Sequence, residues 1–458
     1  MKYNLIKKTS SLILLIYSFF KKDRLIDKLS KETNFDKPNL KESIRKHPAY
    51  IFFKACHQIH TDKILSGYKL IEDFNTKKGE WNKETVFKKI LEKDIISPCR
   101  VIGSFGNYRT VFNYLFNRIN ILKINSKPKI FIKRHDKINN KFLLSLFEPF
   151  IDVSKSSYSY YKNINNIFYF KAPIEISLPY EKKYYPWAVS ENLIHQFRLR
   201  NDDLKFNFLK LKREDYLKGE KILRDNNLSS YKWYVALHIR EDNQNDDQTH
   251  RNANPINYIK LIKEIISRGG AVFRMGNQSM TKLPKIKGLI DYPFTNFKSD
   301  FMDIFLAATS KFVVGTASGF WTAASFFNTP TLLTNYAPYI EYYSFNENCI
   351  FLPKTLTNSN NKIVSIKEIF QQNKYSQYTS MAQFRKSSLK VLENTEEDLL
   401  ESVKNMFDLL SIDENKKRDF VKLNQDFKKK YFEESFYNGN KLKPLANFST
   451  AFIKQHQI

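Results

Sequence analysis

Residues 312–335, with the sequence FVVGTASGFWTAASFFNTPTLLTN, constrain the fold of this chain more than any other segment. A β-branched run stops at Gly315, and a turn of small residues, 316–319, follows it. An apolar segment of helical character comes next, and then a second β-like run at 331–334. This order of strand, tight loop, helix and strand is the pattern of a parallel βαβ unit. The loop is either an ordinary tight turn or a phosphate-binding loop, because open α/β sheets bind phosphorylated ligands at the carboxyl ends of their strands.

The length and composition of the chain predict a large globular protein. Its 458 residues allow two or three domains, and 42% of them are apolar, which favours a packed core over disorder. The three cysteines, Cys56, Cys99 and Cys349, lie far apart and form no CxxC pair. This spacing is typical of a reducing compartment and argues against a zinc ribbon or a disulfide scaffold.

The net charge of +28 is unevenly distributed along the chain. Residues 231–353 contain 12 Lys/Arg and 10 Asp/Glu, a net charge of +2, so nearly all of the excess lies outside that segment. No RGG tract, helix-turn-helix or RNP-like aromatic stripe accompanies the positive charge. We therefore expect no nucleic-acid partner, and we expect a basic surface that faces anionic lipid or polyanionic glycan.

The first 24 residues carry six Lys/Arg and one acidic residue around an apolar run at 12–20. That run is too short for a transmembrane helix, which needs about 20 residues, and no small-residue cleavage site follows it. Two interpretations stay open: a helix that lies in an anionic membrane interface, and a helix docked on the protein's own core. The predicted location is cytoplasmic, and the interfacial helix would hold the protein peripherally on the inner face of the membrane.

Changes in composition and in hydrophobic pattern along the chain predict four regions. A polar, helical region over 1–95 precedes a first α/β domain over 96–226, which contains the glycine loop at 103–107. The GxxG spacing of that loop lacks the full dinucleotide-binding fingerprint, so it is weak evidence for a nucleotide. A second α/β domain over 231–380 and a helical carboxyl-terminal extension over 381–458 complete the chain.

A His-x-Arg motif ends the first predicted strand of the second domain. His238 and Arg240 point to the same side of an extended strand, at its carboxyl end. A guanidinium in this position suits a diphosphate, although neighbouring carboxylates could satisfy the pair instead. Glu241 and Asp242 follow at once and begin a long acidic loop, which is either an ordered flap of an active site or a solvated linker.

The His-x-Arg strand, residues 251–253, the GGAVFRMGNQSM stretch and the 312–335 segment together resemble a bacterial family of GT-B glycosyltransferases. That family is related to the O-fucosyltransferase and α-1,6-fucosyltransferase superfamily. The match is good over 234–335 and looser at 103–107 and in the tail. It implies an α/β fold of GT-B type: two Rossmann-like domains that face a central cleft, with helical extensions at both ends. It also implies transfer of a sugar from a nucleotide-sugar donor to a surface-glycan or lipid-linked acceptor, by an inverting reaction without a metal or another cofactor.

The resemblance assigns roles to particular residues. Arg240 neutralises the leaving diphosphate, and His238 lies against the donor or braces Arg240. The residues implied to bind the donor are Arg240, Arg251, Asn252, Gly276, Thr316, Ser318 and Gly319. The general base stays open among Glu241, Asp242 and His238. The fucosyltransferases commonly have an acid at the place of Asn243, so the sugar that is transferred stays open as well.

Two other functions are compatible with parts of the sequence. A nucleotide-sugar epimerase of the same architecture needs acid and base groups around one bound sugar, and the sequence offers no such set. A non-enzymatic protein that binds glycan or nucleic acid through its basic surface is disfavoured by the nearly neutral segment at 231–353.

Overall fold

The computed structural model describes much of the chain from residue 95 onward. The described residues are 54, 95–96, 104–116, 127, 129–132, 138–155, 173–178, 181–186, 209–241, 246–337, 347–371, 378, 380–432, 436–437, 440–441 and 446–456. The chain falls into two compact units. The smaller unit comprises Met1–Val101, Asn113–Asp136 and Phe150–Ile194, and the larger comprises Ile102–Phe112, Lys137–Pro149 and His195–Ile458.

The smaller unit contains a parallel sheet and a hairpin. Strand β2 (Lys129–Ile132) lies between β1 (Ile95–Ile96) and β3 (Asp152–Lys155) and pairs with both in parallel. Strands β4 (Pro173–Leu178) and β5 (Glu181–Pro186) pair antiparallel. Parallel neighbours require crossover connections, so this sheet agrees with the α/β alternation of the sequence.

The larger unit is built around an extensive parallel sheet. Its strands are β6 (Tyr234–His238), β7 (Ala271–Met275), β8 (Leu289–Asp291), β9 (Phe312–Gly315), β10 (Thr331–Tyr336), β11 (Cys349–Pro353), β12 (Thr355–Thr357), β13 (Lys390–Leu392), β14 (Phe436–Tyr437), β15 (Asn440–Lys441) and β16 (Asn447–Phe448). Seven of those described strands form one sheet in the order β16-β11-β10-β9-β6-β7-β8, with parallel neighbours throughout. Strands β12 and β13, and strands β14 and β15, form separate antiparallel pairs.

The order of the strands reverses beside β6. Strands β7 and β8 extend the sheet on one side of β6, and β9, β10 and β11 extend it on the other. In open α/β sheets such a reversal opens a crevice at the carboxyl ends of the two central strands, and ligands bind there. The expected binding region of this unit is therefore the carboxyl edge of β6 and β9.

Helices cover the sheet. They are α1 (Phe105–Phe116), α2 (Lys141–Phe147), α3 (Arg213–Asp225), α4 (Ile259–Ser267), α5 (Asp300–Thr309), α6 (Phe320–Phe326), α7 (Met381–Lys386), α8 (Glu396–Leu409), α9 (Glu414–Phe432) and α10 (Thr450–His456). Short 3-10 turns lie at Asp246–Arg251, Pro255–Tyr258 and Tyr292–Phe294, and a π turn lies at Lys367–Gln371. Strands β7 and β9 are buried along their whole length, as expected of a parallel sheet with both faces covered.

Capping side chains set the starts of several helices. The Ser299 hydroxyl accepts a hydrogen bond from the main-chain N of Met302, and Asp300 lies in the first turn of α5, where a negative charge is favourable. Asn254 caps the segment that follows it by accepting a hydrogen bond from Ile256 N, but the first turn, Pro255–Tyr258, is a 3-10 turn and α4 begins only after it.

The start of α1 and the whole of α2 belong to the larger unit. The rings of Phe112 in α1 and Phe326 in α6 lie 4.8 Å apart. The Asn140 side chain donates to the main-chain O of Asp300 at 2.9 Å, and Lys141 N donates to the Asp300 carboxylate at 2.8 Å. The contacts group Ile102–Phe112 with the larger unit, whereas the sequence places α1 in the first α/β domain.

The carboxyl-terminal extension contains helices as predicted, but it also contains strands β13 to β16, of which β16 joins the main sheet. Strand β16 extends the main sheet beside β11, and Phe448 in that strand is fully buried. Two residues are too few to show a β period in the sequence, so this strand was not predicted.

No helix in the described residues is long and apolar enough to cross a membrane. The basic amino-terminal segment, 1–24, for which the sequence predicts an interfacial or a docked helix, lies outside the described residues.

Candidate functional site

The His-x-Arg motif and the small-residue turn meet at the carboxyl edge of the main sheet. His238, the last residue of β6, pairs with Gly315, the last residue of β9. Two residues further on, the main-chain N of Arg240 donates to Thr316 Oγ1 at 3.0 Å. Both sequence features therefore lie where the strand order reverses.

The Arg240 side chain is oriented by Asn252. Arg240 Nη1 donates to Asn252 Oδ1 at 2.9 Å, and the guanidinium is partly buried. The next residue, Ala253, donates its main-chain N–H to the carbonyl of Arg240 at 3.0 Å. A guanidinium held in this way is preorganised for a planar contact with a phosphate or a carboxylate.

His238 is paired with the hydroxyl of the turn. Its Nδ1 lies 3.0 Å from Ser318 Oγ, and its ring stacks on Phe320 with 5.5 Å between the centroids. Desolvation, followed by the positive charge of Arg274, lowers the pKa of His238 to about 4. The imidazole is therefore neutral at pH 7, and one of its nitrogens can accept a proton or a hydrogen bond.

The members of the turn differ in exposure. Thr316 is fully buried, and its hydroxyl accepts the hydrogen bond from Arg240 N. Ser318 donates its main-chain N–H to Thr316 O at 2.6 Å, and both Ser318 and Gly319 are partly exposed. Thr316 thus holds the turn against the strand end, and Ser318 offers the accessible hydroxyl.

A segment that we call the strap, residues 246–252, lies over the carboxyl edge of the sheet. Arg251 Nε donates to the carbonyl of Ala317 at 2.7 Å, just after β9. The carbonyl of Asn252 accepts a hydrogen bond from Lys354 Nζ at 2.5 Å, just after β11. The strap therefore connects the ends of three strands and brings Arg251 and Asn252, both predicted to bind the donor, beside Arg240.

Glu241 belongs to a buried ion-pair network. Its carboxylate forms a salt bridge with Arg274 of β7, whose side chain is fully buried, and it accepts a hydrogen bond from Thr281 N at 3.1 Å. Arg274 forms a second salt bridge with Asp291 at 3.0 Å. The network joins the ends of β6, β7 and β8. Arg274 was not predicted, although one arginine within an apolar strand was the signal that could have found it.

Gly276 and Asp242 are the remaining residues that the sequence predicts for the site. Gly276 has φ +145°, and a Cβ there would lie 2.1 Å from the sulfur of Met280, so the position requires glycine for conformational reasons. Asp242, a candidate base, lies outside the described residues.

The two glycine loops of the sequence touch. A Cβ on Gly319 would lie 2.4 Å from the main-chain N of Gly106, so the two backbones are in direct contact. Thr322 Oγ1 lies 2.5 Å from the carbonyl oxygen of Gly319 and 3.0 Å from that of Phe105, so the hydroxyl lies between the two loops. The amino-terminal end of α1 is therefore packed on the turn that carries Ser318.

Within the described residues, no group of three or more His, Cys, Asp or Glu side chains is arranged to hold a metal ion. Arg251, which precedes Asn252, and Lys354, which donates to the Asn252 carbonyl, add positive charge to the surroundings of Arg240, whereas the carboxylate of Glu241 is paired with Arg274. This arrangement suits an anionic ligand.

No protein-family model, curated protein or solved structure matches the chain. The fold is α/β, with a central parallel sheet and a basic, polar site at its switch point. The family resemblance of the sequence therefore stays a prediction.

Proposed function

We propose that this protein is a glycosyltransferase that moves a sugar from a nucleotide-sugar donor to a surface-glycan or lipid-linked acceptor. The observation that carries the proposal is the position of Arg240, oriented by Asn252 beside the Ser318 turn at the switch point of the sheet. A fixed guanidinium next to an accessible hydroxyl complements a diphosphate, and open α/β sheets bind nucleotides at this place. The proposed fold is GT-B, with the larger unit as the donor-binding half.

The proposed reaction is a single inverting displacement. The acceptor oxygen forms a bond to C1 of the sugar, the bond between C1 and the diphosphate oxygen breaks, and the nucleoside diphosphate leaves with the electron pair. Arg240 and the Ser318 hydroxyl stabilise the negative charge that develops on the diphosphate. Loss of one preorganised donor of this kind typically lowers the rate about 100- to 1000-fold.

The acceptor proton passes to a general base, for which three residues remain candidates. His238 is neutral at pH 7 and therefore able to accept a proton, although its pKa of about 4 makes it a weak base. The carboxylate of Glu241 is bound to Arg274, which lowers its availability. Asp242 is the third candidate. The proposal therefore rests on the residues that bind the leaving diphosphate, and it leaves the identity of the general base open.

We further propose a cytoplasmic enzyme whose basic amino-terminal segment brings it to the anionic inner face of the membrane. The six Lys/Arg of residues 1–24 supply the attraction, and a lipid-linked acceptor would be met at that surface.

A thermal-shift panel tests the donor site. The wild type, Arg240→Ala and Arg224→Ala are each mixed with GDP, UDP, CDP, dTDP and the corresponding nucleotide sugars. Arg224 is an exposed arginine of α3 and serves as the matched control. We expect one nucleotide family to stabilise the wild type and Arg224→Ala by about 2.7 kcal/mol at 100 times its Kd, and Arg240→Ala far less.

Four results would overturn the proposal. The donor site is wrong if no nucleotide stabilises the wild type, or if Arg240→Ala responds equally. Release of an epimerised sugar without any acceptor would indicate an epimerase. Binding to DNA with a steep salt dependence, and without nucleotide binding, would indicate a basic binding protein.

A further inference from the structure

A buried lysine lies beneath the candidate site and has no part in the proposed chemistry. Lys354 directly follows β11, and only 3% of its surface is exposed. Its Nζ donates to the carbonyl of Asn252 at 2.5 Å. Burial of an ammonium group is costly unless the group is well hydrogen-bonded. The hydrogen bond to Asn252 is therefore the contact from which we infer a role for the lysine.

Lys354 and Arg240 hold the same peptide group. The carbonyl of Asn252 and the N–H of Ala253 belong to one peptide unit. The carbonyl accepts from Lys354, and the N–H donates to the carbonyl of Arg240 at 3.0 Å. The side chain of Asn252 in turn accepts from Arg240 Nη1 at 2.9 Å. Asn252 therefore links the lysine to the guanidinium.

Other contacts fix the strap at different points. Arg251 Nε binds the carbonyl of Ala317 at 2.7 Å, and the carboxylate of Asp247 accepts from the main-chain N of Ala382 at 2.9 Å. These contacts hold the approach to Asn252, whereas the contact with Lys354 acts on the peptide that carries the side chain bound to Arg240. Loss of the ammonium group would thus move Asn252 more than it would move the rest of the strap.

We propose that Lys354 is a positioning residue for Arg240. It fixes the Asn252 peptide, and through the Asn252 side chain it keeps the guanidinium where the diphosphate of a nucleotide sugar binds. This inference rests on the proposed function, because the diphosphate is the ligand of that function.

The protonation of Lys354 offers a direct readout. Desolvation lowers its pKa to about 8, and the negative charge of Glu393 opposes that shift. The neighbouring His250, on which Lys354 acts electrostatically, has a pKa of about 4 and stays neutral above pH 7. Arginines and carboxylates do not change charge between pH 7 and 9.5. Within this group, Lys354 therefore loses its charge as the pH rises through about 8.

The test measures the Kd of GDP, UDP, CDP and dTDP at pH 7.0 and pH 9.5 by calorimetry. The proteins are the wild type, Lys354→Met, Lys354→Arg and the control Lys428→Met. Lys428 is also partly buried, and its pKa is also lowered to about 8, but it contacts Asn447 at the opposite, amino-terminal edge of the sheet. Thermal unfolding of each variant shows whether it is folded.

The expected results are as follows. Lys354→Met weakens binding of the preferred nucleotide about 10- to 100-fold at pH 7.0, the range expected for a lost charged hydrogen bond. The wild type binds more weakly at pH 9.5 than at pH 7.0, and Lys428→Met behaves like the wild type. Lys354→Arg retains most of the affinity and loses less of it than the wild type between pH 7.0 and pH 9.5, since arginine stays charged while the nucleobase ionises equally in both experiments.

A double-mutant cycle with Asn252→Ala tests the connection. If Lys354 acts through Asn252, Lys354→Met should weaken binding by less than about twofold in the Asn252→Ala background. An undiminished effect there would show that the lysine acts by another route, and it would overturn the inference.

Two failures are distinguishable. If the wild type binds a nucleotide and Lys354→Met binds it equally well, or if Lys354→Arg keeps the pH dependence of the wild type, the inference is wrong and the proposed function stands. If the wild type binds no nucleoside diphosphate, the proposed function fails and the inference fails with it. If Lys354→Met does not fold, the comparison of Lys354→Arg with the wild type decides.

Discussion

His250 in the strap is a buried histidine whose surroundings favour its neutral form. It is 2% exposed, and in the part of the chain that the structure describes neither of its ring nitrogens has a hydrogen-bond partner. Its ring lies 5.6 Å from that of Phe384. Desolvation, followed by the charge of Arg251, lowers its pKa from 6.5 to about 4.

The lowered pKa of His250 predicts that the folded protein loses stability in acid. Between pH 6.5 and about 4 the unfolded chain binds a proton at His250 that the folded chain does not, so stability falls as the pH falls through this window. The slope from one such group is at most about 1.4 kcal/mol per pH unit. His250→Leu removes the group, and we expect a smaller loss of the urea midpoint between pH 7 and pH 4.5 than in the wild type. Equal losses in both proteins would contradict this explanation.

At the level of single residues, the sequence allowed prediction of the polar side chains that follow strands. It did not allow prediction of the charged side chains that are buried. Arg240 and Ser318 were predicted as site residues from the strand end and the small-residue turn, and Asn252 was implied by the family resemblance. The structure brings the three to one edge of the sheet. Lys354 and Arg274 were not predicted. Their roles depend on neighbours that are distant in sequence, and a lone charge beside an apolar run was the only sign of them.

At the level of secondary-structure elements, the close contact between the starts of α1 and α6 leads to a testable prediction. A Cβ on Gly319 would lie 2.4 Å from the main-chain N of Gly106, and a backbone atom cannot rotate away as a side chain can. Gly319→Ala should therefore cost about 1–3 kcal/mol of stability and displace the Ser318 turn, which lowers nucleotide affinity.

Gly106→Ala is the matched control for this junction. A Cβ on Gly106 would meet Gly319 Cα at 3.5 Å, an ordinary contact, so this variant should behave nearly as the wild type. Thermal unfolding and nucleotide binding of both variants provide the comparison. Equal behaviour of the two variants would show that the two backbones are not in close contact.

Several elements were predictable because their patterns are local. The β-like run at 271–275 predicts a strand and the segment at 141–147 predicts a helix, and the structure has both with these bounds. Strands β12, β13 and β16 were missed, since two or three residues show no period and their pairing is decided by distant partners. Strands β3, β4 and β5 and the short hairpin of β14 and β15 were missed as well. The Asn254-Pro255 pair predicts a helix that starts at Pro255, but the structure has a 3-10 turn there, and α4 begins only at Ile259.

At the scale of the whole molecule, the carboxyl-terminal tail completes the main sheet. Phe448 in β16 and Phe452 and Ile453 in α10 are at most 1% exposed. Burial of each such side chain contributes about 1.5–3 kcal/mol, so together they approach the whole stability of a typical domain, about 5–15 kcal/mol.

Removal of residues 446–458 should therefore leave the protein insoluble or strongly destabilised, with an exposed β11 edge. Removal of 457–458 alone is the control and should have no effect. Soluble yield and the thermal unfolding midpoint of the two truncated proteins test this prediction. An unchanged midpoint in the longer truncation would show that β16 is not part of the stable sheet.

The alternation of strands and helices predicted an α/β molecule with a parallel sheet, and this is confirmed. The order of the strands was not predictable, because it depends on pairing between distant segments. That order puts β6 beside β9 and thereby brings the His-x-Arg motif to the Ser318 turn. The GT-B arrangement of two domains stays a prediction.

The position of a bound nucleoside diphosphate tests the central claim most directly. A crystal structure should be determined with the nucleotide that stabilises the wild type most in the thermal-shift panel. The proposed function predicts β-phosphate oxygens within about 3 Å of the Arg240 guanidinium and of Ser318 Oγ. A diphosphate bound elsewhere, with neither side chain in contact, would contradict it.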